Sequence, residues 1–370
     1  MRPRVLFIMQ LPPPVHGASM INKTIANSTI INHKFNCDYI NLTTAGDVKD
    51  IGKSGIKKYF KSIGIYFKVF KKVLFKKYSL IYMTLSPHGI AFYKDAILAI
   101  ILKFFGFKLV YHLHGKGIKN EIAKSAFKAR IYKQVFKNAY VIHLSKLLYF
   151  DIKSIVPESK VKFLANGIQS GENFDFSKKP INKKVLYLSN MQESKGSFIL
   201  LQAAKLLKDK GVDFHIDFVG KWHNDVKFKE KWIAYYKENN LENFVTYHGS
   251  KYNDDKNKFF VEANVFVLPT NNDCFPISIL EAMSFGIPVI STNEGAIPEI
   301  INNNETGLIV EKNNPKDLAL KINYLLSNED IRIKLGQKSH KEFNKTYRVN
   351  NFENNFCETI TSITNEHSKD

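Results

Sequence analysis

Only three of the 370 residues are cysteine, Cys37, Cys274 and Cys357, and they lie far apart. Such scatter supports neither a disulfide framework nor a cysteine-based zinc site, and it fits a reducing cytoplasm. Long apolar runs are missing too: the stretch from Ala96 to Phe107 is interrupted by Lys103 and falls short of the roughly 20 residues a spanning helix needs. Pro12-Pro13-Pro14 stops the apolar run that begins at Val5 before signal-peptide length, so a first strand is expected there and no export segment. Acid is scarce in one half only. Residues 1–180 hold 30 basic and 9 acidic side chains, whereas residues 181–370 hold 24 and 25. What is present suffices for large cores, with 44% hydrophobic and 13% aromatic residues, and excludes a disordered or fibrous chain. The length predicts two domains, and the net charge of +20, carried by the first half, predicts an anionic surface or substrate. Nucleic acid and anionic lipid both satisfy that description.

Strand-like runs alternate with amphipathic runs in both halves. In the second half strands are expected at 185–189, 214–219, 244–247, 265–268 and 289–291, with helices at 197–208, 226–238, near 257–261, at 277–285 and at 315–326. The first half gives strands near 5–9, 80–83, 109–114 and 141–144. Strict alternation implies parallel sheets covered on both faces, so the expected class is α/β, doubly wound, in two domains. The expected boundaries are a first domain over 1–168, a polar linker over 169–184, a second domain over 185–345 and a C-terminal helix or tail over 346–370 that packs back on the first domain. Ligands of such sheets sit at the carboxyl ends of strands, which makes a cleft between the domains the expected site.

The most informative segment runs from Leu268 to Ser291. A strand ends at Leu268, a polar loop carries Asp273, and a helix begins near Pro276, leaving the N–H groups of Ile277 and Ser278 free for an anion or hydroxyls. Asp273 and Glu281 are then placed to flank one polar ligand; the alternative is acidic charge complementing a helix dipole. A second loop, Ser189-Asn190-Met191-Gln192-Glu193-Ser194-Lys195-Gly196, ends in Lys-Gly at a helix start, which suits a diphosphate. A solvated Lys195 is the plainer reading. At the first strand's end, Pro14-Val15-His16-Gly17 offers one glycine for close backbone approach, short of a dinucleotide fingerprint, with His16 either touching ligand or lying idle in the loop. In Leu109–Gly117, alternation puts His112 and His114 on one face, either as structural histidines or as a metal pair without a third ligand. Residues 52–78 contain nine lysines and no acid, with Ile56, Phe60, Ile63, Phe67, Phe70 and Leu74 at helical spacing. That is a basic amphipathic helix which either packs with solvated lysines or lies on an anionic leaflet, Lys68, Lys71 and Lys72 then meeting the lipid.

The segment Asp273-x7-Glu281-Ala-Met-Ser-x-Gly286-x-Pro288-Val resembles the Glu-x7-Glu signature of family 4 glycosyltransferases, retaining enzymes of GT-B fold that use nucleotide sugars. Gly295-Ala-Ile-Pro298-Glu299, Glu305-Thr-Gly307-Leu and Asn166-Gly167 are similar to that family as well, and the likeness covers essentially residues 185–327. The resemblance implies two Rossmann-like domains, Glu281 on the nucleotide ribose, and Asp273 where a longer Glu usually contacts the donor sugar. It implies Lys195 on the diphosphate, with Asn190 standing where an Arg is frequent. Donor contacts from Gly17 and the backbones of Phe275, Pro276, Ile277 and Ser278 are implied too, with Pro276 replacing a frequent Gly, and His114 beside the donor sugar. Cytoplasmic, metal-independent sugar transfer to a lipid-linked or glycan acceptor in surface polysaccharide synthesis is then expected. The enzyme would be peripheral at the inner face of the cell membrane, with no cofactor beyond the donor and no nucleic-acid partner. A polyanion-binding protein and a nucleotide-sugar epimerase are the competing expectations.

Overall fold

The computed structural model describes residues 2–43, 56–169 and 182–366, and its contacts divide the chain into two units. Unit 1 comprises residues 1–167 with 349–370, and unit 2 comprises 168–348. The sequence reading had set a first domain over 1–168, a second over 185–345 and a tail from 346; most of the expected linker, 170–181, lies outside the described residues.

Unit 1 runs β1 (Arg4–Met9), α1 (Gly17–Asn27), α2 (Thr29–Lys34), β2 (Asn36–Asn41), α3 (Ile56–Phe75), β3 (Leu80–Thr84), α4 (Gly89–Phe104), β4 (Leu109–Leu113), α5 (Ile118–Ala123), α6 (Ala126–Phe136), β5 (Tyr140–His143) and β6 (Val161–Phe163). Its sheet is parallel, in the order β2-β1-β3-β4-β5-β6. Val5 to Met9 are fully buried, as expected of a strand covered on both faces. β2 and β6 have no counterpart in the sequence reading. β2 is an edge strand with the polar run Asn36-Cys37-Asp38, and β6 has only three residues, so neither carries an apolar period. The chain's last helix, labelled α14 below, completes this unit: Phe356 packs on Phe7 and Tyr82 with ring centroids 6.3 and 5.5 Å apart.

Unit 2 runs β7 (Lys184–Leu188), α7 (Ser197–Asp209), β8 (His215–Val219), α8 (Val226–Glu238), β9 (Val245–Tyr247), α9 (Asn253–Glu262), β10 (Val265–Leu268), α10 (Ile277–Ser284), β11 (Val289–Thr292), α11 (Ile297–Ile300), β12 (Gly307–Val310), α12 (Pro315–Ser327) and α13 (Glu329–Glu342); α14 (Val349–Asn365) then returns to unit 1. Its sheet is parallel in the order β12-β11-β10-β7-β8-β9. The chain moves from β7 outward to β9 and then back across to β10, so strand order reverses between β7 and β10. In unit 1 it reverses between β1 and β3. A doubly wound sheet opens its ligand crevice at that reversal, beyond the strands' carboxyl ends.

Among the described residues no helix is long and apolar enough to cross a membrane.

Candidate functional site

Because β7 and β10 are neighbours, the loops that leave their carboxyl ends meet. The N–H groups of Asn271 and Asn272 donate to Ser194 O at 2.8 and 3.2 Å, and Thr270 Oγ1 donates to the same oxygen at 3.1 Å. The join needs Gly196: with φ at +76° it sits so close to Pro269 that a Cβ would lie 2.0 Å from the Pro269 carbonyl oxygen. Lys195 is thereby carried to Asp273. Its Nζ donates to Asp273 Oδ2 at 2.5 Å and to Asn272 O at 3.1 Å. The solvated lysine that the sequence allowed is not what the fold builds. Asn190 is different: its side chain points to solvent, and only its backbone oxygen is engaged, by Gln192 N and the Tyr187 hydroxyl.

The Asp273 loop is pinned from a second side. Asp273 N donates weakly to Glu294 Oε1 at 3.4 Å, and the Ala296 N–H donates to Cys274 O at 2.7 Å. Gly295, with φ at +56°, makes this approach possible, since a Cβ there would fall 2.4 Å from Asp273 O and 2.6 Å from Cys274 O. Glu294 is buried and paired with Lys312. It is a third acid of the site that motif spacing did not single out; the neighbouring Gly295 was its only sequence signal. Glu281 is the fifth residue of α10, half-buried and paired with Lys256 of α9. Lys256 was missed because a pairing between two helices leaves no mark in local sequence.

At the start of α10, Ile277 and Ser278 have no preceding turn to donate to, and Pro276, the N-cap residue, supplies no side-chain cap. Their N–H groups follow the Lys195-bound Asp273 by four and five positions in the chain. Phe275 and Pro276 are buried, and the Phe275 ring packs edge-on to Tyr347 at 6.2 Å, so it contributes a wall.

In unit 1, β4 ends at Leu113 and His114 begins the loop beyond it. The His112 and His114 rings lie 4.0 Å apart, tilted by 36°, and His112 Nδ1 meets the Tyr82 hydroxyl at 2.6 Å. Both nitrogens of His114 are shut off from solvent without a hydrogen-bond partner, as is Nε2 of His112 and of His143. Desolvation, aided by the charges of His16 and His143, pushes His114 down to about 3; burial takes His143 to about 4 and His112 well below the ordinary imidazole value. These imidazoles are neutral at pH 7, each with a buried polar atom turned to an unfilled role. Among the described residues no three His, Cys, Asp or Glu side chains are arranged to hold a metal ion.

His16 caps α1. Its Nδ1 accepts from Ser19 N at 3.3 Å, and Ser19 Oγ accepts from His16 N at 3.0 Å, a capping box that places Gly17 at the helix's first position. The loop after His114 is fixed by Asp151, which the sequence gave no reason to select. Its carboxylate accepts from the N–H groups of Gly117, Ile118 and Lys119 at 2.9 to 3.0 Å, filling the anion-attracting end of α5.

On α3, described as a helix from Ile56, the buried face is Ile65 and Val69, with Tyr66, Phe70 and Val73 half-buried. The expected apolar stripe is only partly the packed one: Phe70 is half-buried, Ile63, Phe67 and Leu74 are 60%, 72% and 74% exposed, and the side chains of Ile56 and Phe60 lie outside the described residues. Lys72 is paired with Asp38 at 2.6 Å, while Lys68 and Lys71 are exposed.

Residues 171–342 match the family model for glycosyl transferases group 1. This group 1 segment contains Lys195, Lys256, Asp273, Glu281 and Glu294. An uncharacterized glycosyltransferase of Methanocaldococcus jannaschii is 33% identical over 172 residues, 45% of this chain and 47% of the relative. The capsular polysaccharide biosynthesis glycosyltransferase CapM of Staphylococcus aureus is 29% identical over 217 residues, 54% of this chain and 56% of CapM. The chain thus spans about half the length of the curated relatives it matches. Among solved structures, HepE of Anabaena in complex with UDP and glucose superposes with a TM-score of 0.73 at 18% identity, covering 97% of this chain and 100% of HepE. That likeness concerns the fold, which is GT-B: two parallel six-stranded sheets clothed in helices.

Proposed function

We propose that the chain transfers a sugar from a nucleoside-diphosphate sugar to a lipid-linked glycan acceptor, as a peripheral enzyme on an anionic membrane face, with retention at the anomeric carbon. The observation that carries this reading is the Lys195–Asp273 pair on the loops of β7 and β10, where strand order reverses in unit 2, within the segment that matches the group 1 family model. The complex of HepE with UDP and glucose and the name of CapM support the donor class and the pathway class respectively.

The chemical difficulty is charge. As the bond to the sugar breaks, the departing diphosphate gains negative charge and the sugar becomes electron-poor. Lys195 and the N–H groups of Ile277 and Ser278 form a preorganised positive end for the first, needing little rearrangement as the bond breaks. Asp273 releases Lys195 to the diphosphate on donor binding and turns to the sugar hydroxyls, while Glu281 takes the ribose. His114, neutral and with both nitrogens unpaired, would offer the sugar a hydrogen-bond donor and an acceptor. With retention, departure and attack share one face of the sugar in this reading. This division of labour calls for neither a metal nor a cofactor. The exposed Ile63, Phe67 and Leu74 among the lysines of α3 give the membrane face.

The deciding experiment is a thermal-shift screen against UDP, GDP, ADP and dTDP sugars, followed by transfer to a membrane extract with the donor that binds. A donor that stabilises the protein and is consumed only when acceptor is added supports the reading. Interconversion of the donor without transfer, or no stabilisation by any nucleotide sugar, overturns it.

A further inference from the structure

Beside α3 lies a cavity of about 510 Å³ between the helix and the edge strand β2. Its lysines fall into two classes. Lys72 and Lys76 bind Asp38 at 2.6 and 3.0 Å, and the Tyr78 hydroxyl donates to the same carboxylate at 2.8 Å, so these two charges are met internally. Lys68 and Lys71, one turn apart on the cavity rim, have no acidic partner among the described residues. The cavity is otherwise mainly apolar, with Ile40 and Ile65 buried behind it and Phe75 80% exposed at its mouth. Two unmet ammonium groups over an apolar floor match a ligand whose doubly anionic head is joined directly to hydrocarbon. A lone phosphate would leave most of this volume empty.

The cavity's position distinguishes it from a general lipid contact. Asn41, in its wall at the carboxyl end of β2, accepts from Leu11 N at 3.1 Å and Thr43 N at 2.8 Å. Leu11 begins the loop that leads to His16, so the cavity wall is tied to the edge of the sheet where unit 1 opens its ligand crevice. We infer that the cavity holds the diphosphate of the lipid-linked acceptor, with Lys68 and Lys71 on the phosphates and Ile65 and Phe75 against the first carbons of the chain. The assignment rests on the proposed sugar transfer to a lipid-linked acceptor and specifies where that acceptor's head is gripped.

The test is titration of the full chain with farnesyl diphosphate, with inorganic pyrophosphate, farnesol and phosphatidylglycerol vesicles as the other arms. Farnesyl diphosphate is expected to bind at least about tenfold more tightly than pyrophosphate or farnesol, because charge and hydrocarbon act together. The double variant K68A/K71A should lose about tenfold or more of that affinity, having given up two charge-assisted contacts. K334A/K338A, which removes two exposed lysines of α13, should lose none. Phe75→Ser should weaken farnesyl diphosphate and leave pyrophosphate unchanged. All these side chains are exposed, and an unaltered melting temperature checks that the variants fold. Equal binding of pyrophosphate, a K68A/K71A variant that loses phosphatidylglycerol vesicles while keeping farnesyl diphosphate, or K68A/K71A binding like the parent would each overturn the assignment. The titration needs neither donor nor turnover, so a failed transferase reading and a failed cavity assignment give different results.

Discussion

Lys195 Nζ and Asp273 Oδ2 lie 2.5 Å apart although 78 positions separate them in sequence. The pair exists because β7 and β10 are adjacent and Gly196 lets their loops touch. Without donor, each side chain neutralises the other; with donor, the proposed roles require them to part.

Lys195→Ala is expected to weaken donor binding and to lower kcat/KM by about a hundredfold, the scale of losing one preorganised charge on the leaving group. Asp273→Glu, which restores the longer acid of the resembling family, should keep activity within about tenfold of the parent, since the extra methylene meets a loop with one exposed flank. Steady-state kinetics with the donor found by thermal shift check both. A Lys195→Ala enzyme with unchanged kcat/KM would remove the diphosphate role.

Glu281→Ala should abolish transfer while the protein stays folded. The variant frees Lys256, but this partly exposed pair contributes at most about 1 kcal/mol to stability, so the melting temperature should drop only slightly. Lys256→Ala is expected to raise the donor KM with less effect on kcat, because it removes the partner that orients Glu281. Near-normal turnover by Glu281→Ala would refute the ribose assignment.

Gly295→Ala tests the loop itself. The added Cβ would meet two carbonyl oxygens of the Asp273 loop, and the left-handed backbone adds strain of about 1 kcal/mol. Activity should fall by more than about tenfold through displacement of Asp273, with a loss of stability alongside it. Parental kinetics in this variant would mean that the Gly295 contact does not hold Asp273 in place.

Acid should destabilise unit 1. The unfolded chain protonates its histidines near 6.5, whereas burial holds His114 at about 3 and His143 at about 4, with His112 also lowered. Between those values the unfolded state binds more protons, so stability is complete above about pH 6.5 and is lost as pH falls toward the folded values. Asp95 acts in the opposite direction: burial raises it to about 6, so its contribution fades as pH rises from about 4 to 6. Three imidazoles outweigh one carboxyl, and the melting temperature should fall by about 5 °C or more between pH 6.5 and 5. His143→Asn should make the slope shallower. A melting temperature that is flat over this interval would contradict the burial of the three rings as neutral groups.

The β10–α10 segment of unit 2 was legible because it is written locally: an apolar strand, a polar turn and an uncapped helix start follow one another between Val265 and Ser284. What the sequence could not supply were partners fixed by tertiary neighbours. Lys256 lies on a polar helix whose local composition suggests only solvent, and Glu294 looks like a loop acid until Gly295 brings it under Asp273. On α3 the periodicity was read correctly as a helix, but two apolar stripes share it, and only burial tells Ile65 and Val69 from the outward Phe67 and Leu74. The helix α13 escaped individual description because its apolar residues are spaced among many charged and amide side chains.

Unit 1 is assembled from both termini, with α14 supplying Phe356 against Phe7 and Tyr82. During synthesis the first sheet therefore emerges from the ribosome unfinished and waits, one aromatic face uncovered, while all of unit 2 is translated. A premature stop before residue 349 would leave the whole group 1 segment intact and still damage the amino-terminal sheet, so the lesion would appear at the opposite end of the polypeptide from the mutation.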